Sequence, residues 1–218
     1  MPNYRVRYQT IEFDQTDIHI RSLRSNQEFS DPFGEAESFG ISSAQWSLFG
    51  VLWPSSEVLA REMENENITN KRVLEVGCGL GLASLLLNSR HADVTATDMH
   101  PQAAVFLAEN ARLNEDARIP FLRIDWQSSD DGLGTFDLII GSDILYEREH
   151  IELLSEFINR HAAEHCEIVL VDPGRNNHAT FSKKMILLGF THQQYKPSRT
   201  EFSTGHFAGQ ILRYSRSR

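Results

Sequence analysis

The 218-residue sequence has only two cysteines, Cys78 and Cys166, and no long apolar run. The two cysteines match neither the paired spacing of a zinc site nor the dense pattern of a disulfide-rich secreted domain. No run approaches the about 20 apolar residues of a membrane-spanning helix, and residues 1–7 contain no apolar signal core. We therefore expect a soluble protein of the reducing cytoplasmic compartment, with no metal site and no membrane partner.

Positive charge is also scarce. The chain has 21 Lys and Arg against 30 Asp and Glu, which gives a net charge of −9. Nucleic-acid binding draws largely on clustered Lys and Arg, so we expect no nucleic-acid partner. The same acidity permits a basic or lysine-bearing substrate.

The sequence contains no repeats, no low-complexity tract and no second-domain boundary. A chain of this length that is 40% hydrophobic predicts one domain, residues 1–218, with one substantial core. Within it we expect N-terminal strands and a loop over residues 1–40, then a nucleotide-binding type of core over residues 41–218.

The most informative stretch is residues 72–87. A short apolar run there breaks into alternate glycines and then continues with good helix formers. This order predicts a buried strand, a tight turn and a helix. Glycine is needed where backbone approaches a ligand closely or adopts a positive φ, and a helix that begins after such a turn points free N–H groups at the ligand. The turn has the spacing Glu75-x-Gly77-x-Gly79-x-Gly81, with Cys78 at the first x between glycines.

This spacing distinguishes two classes of nucleotide-like ligand. A dinucleotide fingerprint needs Gly-x-Gly-x-x-Gly, but its third position here is Leu82, and Gly81 comes one residue early. No Gly-Lys-Ser/Thr is present, which excludes a P-loop. The spacing instead resembles motif I of class I S-adenosylmethionine (AdoMet) methyltransferases. AdoMet carries an ammonium rather than a pyrophosphate, and Glu75 suits that ammonium or its supporting network. On this motif alone, an ordinary glycine-rich turn stays open.

A second acid, Asp98, ends the next predicted strand, residues 91–98, about 20 residues after the first glycine. A carboxylate at this place accepts hydrogen bonds from both hydroxyls of a ribose. Ribose is common to AdoMet and NAD, so Asp98 predicts a nucleoside and the glycine spacing selects AdoMet. We include the adjoining Met99 in the expected cofactor site.

Strands and helices alternate along the rest of the chain. Periodicity predicts helices over residues 54–65, 101–113, 149–163 and from just after residue 175 to about 188. Apolar runs predict further strands over residues 119–124, 136–141, 167–171, 190–196 and 206–214, with a loop at residues 128–132. Residues 4–23 alternate with period two, and the polar residues 24–39 form either a lid or an ordinary connection. Together they predict an α/β fold, a Rossmann-like doubly wound sheet of seven strands, mostly parallel, with an antiparallel C-terminal edge hairpin and a small N-terminal β layer.

Four local features together resemble a single family. They are Trp53-Pro54 before the glycine turn, the glycine motif itself, Asp125-Trp126 after the third strand, and Asp143-Ile144-Leu145-Tyr146 after the fourth. The chain is similar to the seven-β-strand protein-lysine methyltransferases of family 16, which include enzymes that act on the electron-transfer flavoprotein β-subunit and on valosin-containing protein. Asp172-Pro173-Gly174-Arg175 is similar to the flavoprotein-directed branch. The resemblance covers roughly residues 40–190.

The resemblance implies AdoMet as cofactor and a lysine ε-amine of a protein as methyl acceptor. Asp143 would line the acceptor channel with Tyr146, orient the amine and receive its proton, directly or through water. Trp126 would pack beside the adenine and Asp125 would lie near the adenine amine. Trp53 and Ser142 complete the expected cofactor site.

Several alternatives remain at this stage. Asp143 could be a helix N-cap, Tyr146 a core aromatic, and Trp46, Trp53 and Trp126 core tryptophans. Arg175 could reach either substrate or solvent. A small-molecule methyltransferase and a non-catalytic AdoMet-binding module fit the same fold.

Overall fold

The computed structural model describes residues 4–128 and 132–217, so the loop predicted at residues 128–132 lies mostly outside the described residues. The strands are β1 (Val6–Glu12), β2 (Asp17–Leu23), β3 (Arg72–Val76), β4 (Asp93–Asp98), β5 (Phe121–Arg123), β6 (Phe136–Ser142), β7 (Ala162–Asp172), β8 (Thr191–Tyr195), β9 (Glu201–Phe202), β10 (Gly205–His206) and β11 (Gln210–Ser217). The α-helices are α1 (Glu35–Ser38), α2 (Pro54–Glu64), α3 (Leu82–Ser89), α4 (Pro101–Leu113), α5 (His150–His161) and α6 (His178–Leu187).

Seven strands form the main sheet, in the order β5-β4-β3-β6-β7-β11-β8. Strands β3 to β7 are parallel to one another, whereas β11 is antiparallel to both β7 and β8. The predicted fold class is confirmed. The chain fills one side of β3 with β4 and β5 and then crosses to β6 on the other side, which makes a topological switch between β3 and β6. Doubly wound sheets bind ligands outside the carboxyl ends of the strands at such a point.

Both faces of the sheet are buried, which explains the near-continuous apolar runs of its central strands. Val73, Leu138 and Ile140 contribute to a core shared with α2, α3, α4 and the N-terminal strands. Leu74 and Ile139 point the other way, into a core shared with α5 and α6. Helices on both faces leave the carboxyl edge of the strands as the open part of the sheet.

The predicted N-terminal layer is an antiparallel hairpin of β1 and β2, whose Ile11, Ile18 and Ile20 are buried. Two asparagines one turn apart, Asn110 on α4 and Asn114 just after its last residue, bind the free edge of β2. The side chain of Asn110 accepts a hydrogen bond from the Arg21 N–H (2.7 Å) and donates to its carbonyl (3.2 Å). Asn114 does the same with His19 (2.7 and 2.8 Å).

Some element boundaries were wrong. Helix α5 ends at His161, and β7 begins at once at Ala162, five residues earlier than predicted, because Ala162 pairs with Phe136 of β6 and β11 pairs along β7 back to His165. Strand β11 begins at Gln210 rather than at 206. Residues 205–206 instead pair with residues 201–202.

The small β9–β10 hairpin is held by the buried carboxylate of Glu57 on α2. This carboxylate accepts hydrogen bonds from the hydroxyls of Ser203 (2.6 Å) and Thr204 (3.0 Å) and from the Thr204 N–H (3.1 Å). The loop at residues 198–205 is therefore attached to α2, the helix that precedes β3.

Candidate active site

A cavity of about 890 Å³ opens at the carboxyl edge of the sheet, around the ends of β3, β4 and β6. Small-molecule sites occupy about 300–1,000 Å³, so the cavity is large enough for a nucleoside-sized ligand together with the end of a second molecule. Of the predicted site residues, those that line it are Trp53, Gly77, Cys78, Gly79, Gly81, Asp98, Met99, Asp125, Trp126, Ser142, Asp143 and Tyr146. Glu75 does not. The sequence therefore predicted which residues come together, whereas their individual roles stay predictions.

The glycine turn needs glycine for reasons of backbone shape. Gly77, Gly79 and Gly81 all have φ between 54° and 71°, in the left-handed region that favours glycine. A Cβ on Gly79 would lie 2.9 Å from the carbonyl oxygen of Phe49. The crowding at Gly79 thus comes from the protein's own backbone, a reason that the sequence did not reveal.

Glu75 lies behind the turn and is buried. Its carboxylate accepts hydrogen bonds from the N–H of Ser84 (2.9 Å) and, at short range, from the Ser84 hydroxyl, in the first turn of α3. Burial raises the pKa of Glu75 to about 7. This geometry fits the supporting network, one of the two roles predicted for Glu75, and does not fit direct contact with a ligand in the cavity.

Asp98 connects the glycine turn to the end of β4. One carboxylate oxygen accepts a hydrogen bond from the Gly79 N–H (2.8 Å) and the other from the His100 N–H (2.8 Å). The Met99 N–H adds a further backbone hydrogen bond to this carboxylate, which leaves part of its about four lone-pair sites unused. Burial raises the pKa of Asp98. The remaining acceptor capacity fits the predicted role of Asp98 as an acceptor for ribose hydroxyl groups.

One wall of the cavity comes from residues 39–53. Of the predicted loop at residues 24–39, all of which is described, only Phe39 lines the cavity. The Phe39 ring lies 3.6 Å from the Arg123 guanidinium, and the Gln45 amide donates a hydrogen bond to Glu147 (2.7 Å). These contacts join the wall to the end of β5 and to the loop that follows β6.

The three tryptophans are only partly buried, which argues against a purely core role. The indole N–H groups of Trp46 and Trp53 donate to the carbonyls of Ile41 (3.1 Å) and Leu48 (3.0 Å) and so shape this wall. Trp126 instead packs edge-to-face against His150, with 5.2 Å between ring centroids.

Two histidines that the sequence did not single out also line the cavity. His100 stacks on Phe49 at 3.9 Å, and burial lowers its pKa to about 4, so the ring is neutral near pH 7. His150 lies edge-to-face against Tyr146 at 4.6 Å, and its Nδ1 lies 2.9 Å from the Ile144 carbonyl. His100 immediately precedes Pro101 at the start of α4. This N-cap position was the one feature of the sequence that could have pointed to His100 as a cavity residue.

Asp143 adopts a left-handed conformation, with φ of 53°. Its N–H donates to the Val171 carbonyl (2.9 Å), which continues the pairing of β6 and β7. Arg175 donates two hydrogen bonds to the carboxylate, from Nε to Oδ1 (2.6 Å) and from Nη2 to Oδ2 (2.9 Å). The next helix begins only at His150, so Asp143 is not a helix N-cap. The sequence did not decide whether Arg175 reaches substrate or solvent. In the structure it binds Asp143.

Tyr146 lies at the mouth of the cavity and is 38% exposed, which excludes a core role. Partial burial, together with the nearby carboxylates of Asp98, Glu147 and Asp143, raises its pKa to about 12. The phenol therefore stays protonated near neutral pH. It can donate or accept a hydrogen bond but does not act as an anionic base.

In the part of the chain that the structure describes, no three His, Cys, Asp or Glu side chains cluster as a metal site requires. Nor does any described helix have the length and apolarity needed to cross a membrane.

The family model described as lysine methyltransferase matches residues 41–186. Over 166 residues the chain is 30% identical to protein N-lysine methyltransferase METTL21A of Xenopus tropicalis, covering 72% of this chain and 76% of that protein. It is 29% identical to the electron transfer flavoprotein beta subunit lysine methyltransferase of Xenopus laevis (78% and 67% covered). It is 30% identical to histone-arginine methyltransferase METTL23 of the same species (51% and 50% covered).

Solved structures share the fold. The ribosomal protein L11 methylase of Lactobacillus delbrueckii subsp. bulgaricus gives a TM-score of 0.59 at 20% identity, over 75% of this chain and 79% of that one. Magnesium protoporphyrin IX methyltransferase (ChlM) of Synechocystis PCC 6803, with bound SAM, gives 0.57 at 21% identity, over 74% and 78%.

Proposed function

Since this chain belongs to the lysine methyltransferase family, we propose that it transfers the methyl group of AdoMet to the ε-amine of a lysine in a folded protein partner. AdoMet is its cofactor, as the family match and the SAM-bound fold neighbour support. The observation that carries the choice of acceptor is that Asp143 and Tyr146 line the same cavity as Asp98 and the glycine turn. One cavity can therefore hold the cofactor and the acceptor side by side.

The cofactor end of the cavity is lined by the glycine turn and Asp98. Asp98 would accept the ribose hydroxyls, and Trp126 and Asp125 would border the adenine. AdoMet, when bound, supplies a methyl group on a positively charged sulfur. Methyl transfer requires the acceptor nitrogen to be aligned with that methyl group and water to be excluded. The wall of residues 39–53 and the rings of Trp126, His150 and Tyr146 would exclude water.

At the acceptor end, Asp143 would accept a hydrogen bond from the amine N–H and so orient the nitrogen lone pair. Tyr146 would add a phenol hydroxyl or an aromatic face for the amine. A lysine stem is long and unbranched, so it can reach these groups while the rest of the partner stays outside the mouth. An arginine acceptor is the alternative to test, because one relative is named as a histone-arginine methyltransferase.

The net charge of −9 supports a basic protein surface as partner and argues against a nucleic acid. We place the activity in the cytoplasm, because the two cysteines, Cys78 and Cys166, are free and buried, as suits a reducing compartment.

The test is transfer of tritium from methyl-labelled AdoMet into a cell lysate, followed by separation of proteins from small molecules. Label in a protein band that depends on the added enzyme supports the proposal. Label in the small-molecule fraction alone would show a small-molecule methyltransferase, and no transfer at all would leave an AdoMet-binding module. An Asp143→Asn variant serves as the matched control, because it keeps the shape of the site.

A further inference from the structure

Arg175 is held over Asp143 by the loop between β7 and α6. Gly174 has a φ of 104°, which glycine adopts readily. Its N–H donates to the Asp172 carboxylate (2.9 Å). This turn brings the Arg175 guanidinium onto both oxygens of Asp143, across the ends of two neighbouring strands. The carboxylate is the inner partner, with 13% of its side chain exposed against 46% for Arg175.

The charges that line the cavity are unbalanced. Arg175 is the only lysine or arginine among the described cavity-lining residues. Five carboxylates line the same cavity, those of Asp98, Asp125, Asp143, Glu147 and Glu149. Without Arg175 the acceptor end would favour a cation strongly.

The neighbours of the Asp143–Arg175 pair add further titratable groups. They are Asp172 at the end of β7, His178 on α6, Tyr146 and Glu147 after β6, Glu149 and His150 at the start of α5, and Asp98 at the end of β4. Like Asp143, the carboxylates among them favour a bound cation over a neutral group. No other permanent cation in the described part of the cavity opposes them.

This imbalance matters because a free lysine amine has a pKa near 10.4 and arrives as an ammonium. The ammonium has no lone pair and cannot accept a methyl group. A lone carboxylate beside it stabilises the ammonium form, whereas a nearby cation disfavours it. An unpaired Asp143 would therefore hold the acceptor in its unreactive form.

Resting on the proposed function, we propose that Arg175 is a positioning residue that neutralises Asp143, so that the acceptor site binds the neutral amine rather than the ammonium. Asp143 keeps lone pairs for orienting the amine, since the two hydrogen bonds from Arg175 use only part of its acceptor capacity. The proton is lost from the ammonium to water before the nitrogen attacks, and Arg175 itself takes no proton.

The test compares the pH dependence of methyl-lysine formation by the full chain and by Arg175→Gln, at saturating AdoMet from about pH 7 to about pH 10. The turnover profile at saturating acceptor reports ionisation in the bound complex. Removing a charge beside an ionising group moves its pKa by about one unit or more. We expect the Arg175→Gln profile to shift upward by about one pH unit, so that turnover falls about tenfold near pH 7.5 and recovers at high pH.

Two further variants sharpen the comparison. Arg175→Lys keeps the positive charge but loses the bidentate hydrogen bonding to Asp143, so we expect a smaller upward shift of the pH profile than in Arg175→Gln. Arg148→Gln removes an exposed arginine close to the cavity that forms no ion pair within the described residues, and we expect the wild-type profile.

A loss of turnover that is uniform across pH in Arg175→Gln would show that Arg175 only supports the loop, and would overturn the inference. An unchanged rate would overturn it as well. If the wild-type chain forms no methyl-lysine at any pH, the proposed function itself fails, and that result is read from the wild type alone.

Discussion

The carboxylate of Asp98 has two sets of partners in this account, because it holds the glycine turn through the Gly79 N–H and would also bind the ribose. We therefore expect Asp98→Ala to lower AdoMet affinity about tenfold or more, equivalent to ~1.4 kcal/mol, in isothermal titration calorimetry. Asp93→Ala is the matched control, because Asp93 begins the same strand, is exposed and lies away from the cavity. Unchanged affinity in Asp98→Ala, with the fold intact by circular dichroism, would contradict the assignment of the cofactor pocket.

At the acceptor end, Asp143→Asn removes a charge while keeping shape and some hydrogen bonding. Asn tolerates the left-handed conformation that Asp143 adopts, so we expect the fold and AdoMet binding to be retained. Turnover should fall on the order of 10²-fold or more, because both the orientation of the amine and the local electrostatics change. Initial-rate assays with the purified variant provide the measurement. Turnover at the wild-type level would mean that Asp143 only shapes the loop after β6.

At the level of single residues, the sequence identified the site residues that lie at strand ends, because the carboxyl ends of parallel strands meet at one edge of the sheet. It could not identify the binding of Arg175 to Asp143, which lie 32 positions apart and meet only through the turn at Gly174. His150 was missed for a similar reason. Its place between Trp126 and Tyr146 depends on the path of the loop before α5.

Among the elements, the β1–β2 hairpin depends on α4 in an unusual way. The buried side chain of Asn110 pairs with both backbone groups of Arg21, much as a neighbouring strand would. Removal of the partner of a buried polar group costs about 1–3 kcal/mol. We therefore expect Asn110→Ala to lower the free energy of unfolding by about this amount in urea denaturation, and to speed hydrogen exchange at the Arg21 amide.

Glu109→Ala is the control on the same helix, since Glu109 makes only an exposed ion pair with Arg112. Its effect should stay within about 0.5 kcal/mol. If Asn110→Ala is no more destabilising than this control, the hairpin is held by its apolar face alone.

Element boundaries were predicted well where local signals set them. Helix α4 begins at Pro101 and ends at Leu113 as predicted, because a proline in the first turn and one apolar face define it. The predicted boundaries were wrong where pairing between strands that are distant in the sequence determines them. The early start of β7 depends on pairing with β6 and β11, and the late start of β11 depends on the hairpin that Glu57 holds.

At the scale of the whole fold, two apolar cores cover opposite faces of one sheet, and a large cavity with an acidic lining opens at the carboxyl edge of the strands. The fold class followed from the alternation of strands and helices, which local periodicity reveals. The acceptor did not follow from the fold, because this architecture carries methyltransferases with very different substrates, including a ribosomal protein methylase and a porphyrin methyltransferase. The acidic lining of the cavity and the Asp143-x-x-Tyr146 segment support the proposed acceptor, an amine on a basic partner.

The central claim is therefore the identity of the methylated side chain. The most direct measurement is amino-acid analysis, after complete acid hydrolysis, of lysate protein labelled by the enzyme with tritiated AdoMet. Methyl-lysine as the labelled product, absent when the enzyme is omitted, is the result that this account predicts. Label found only in methyl-arginine or methyl-histidine, or in no amino acid at all, would contradict it.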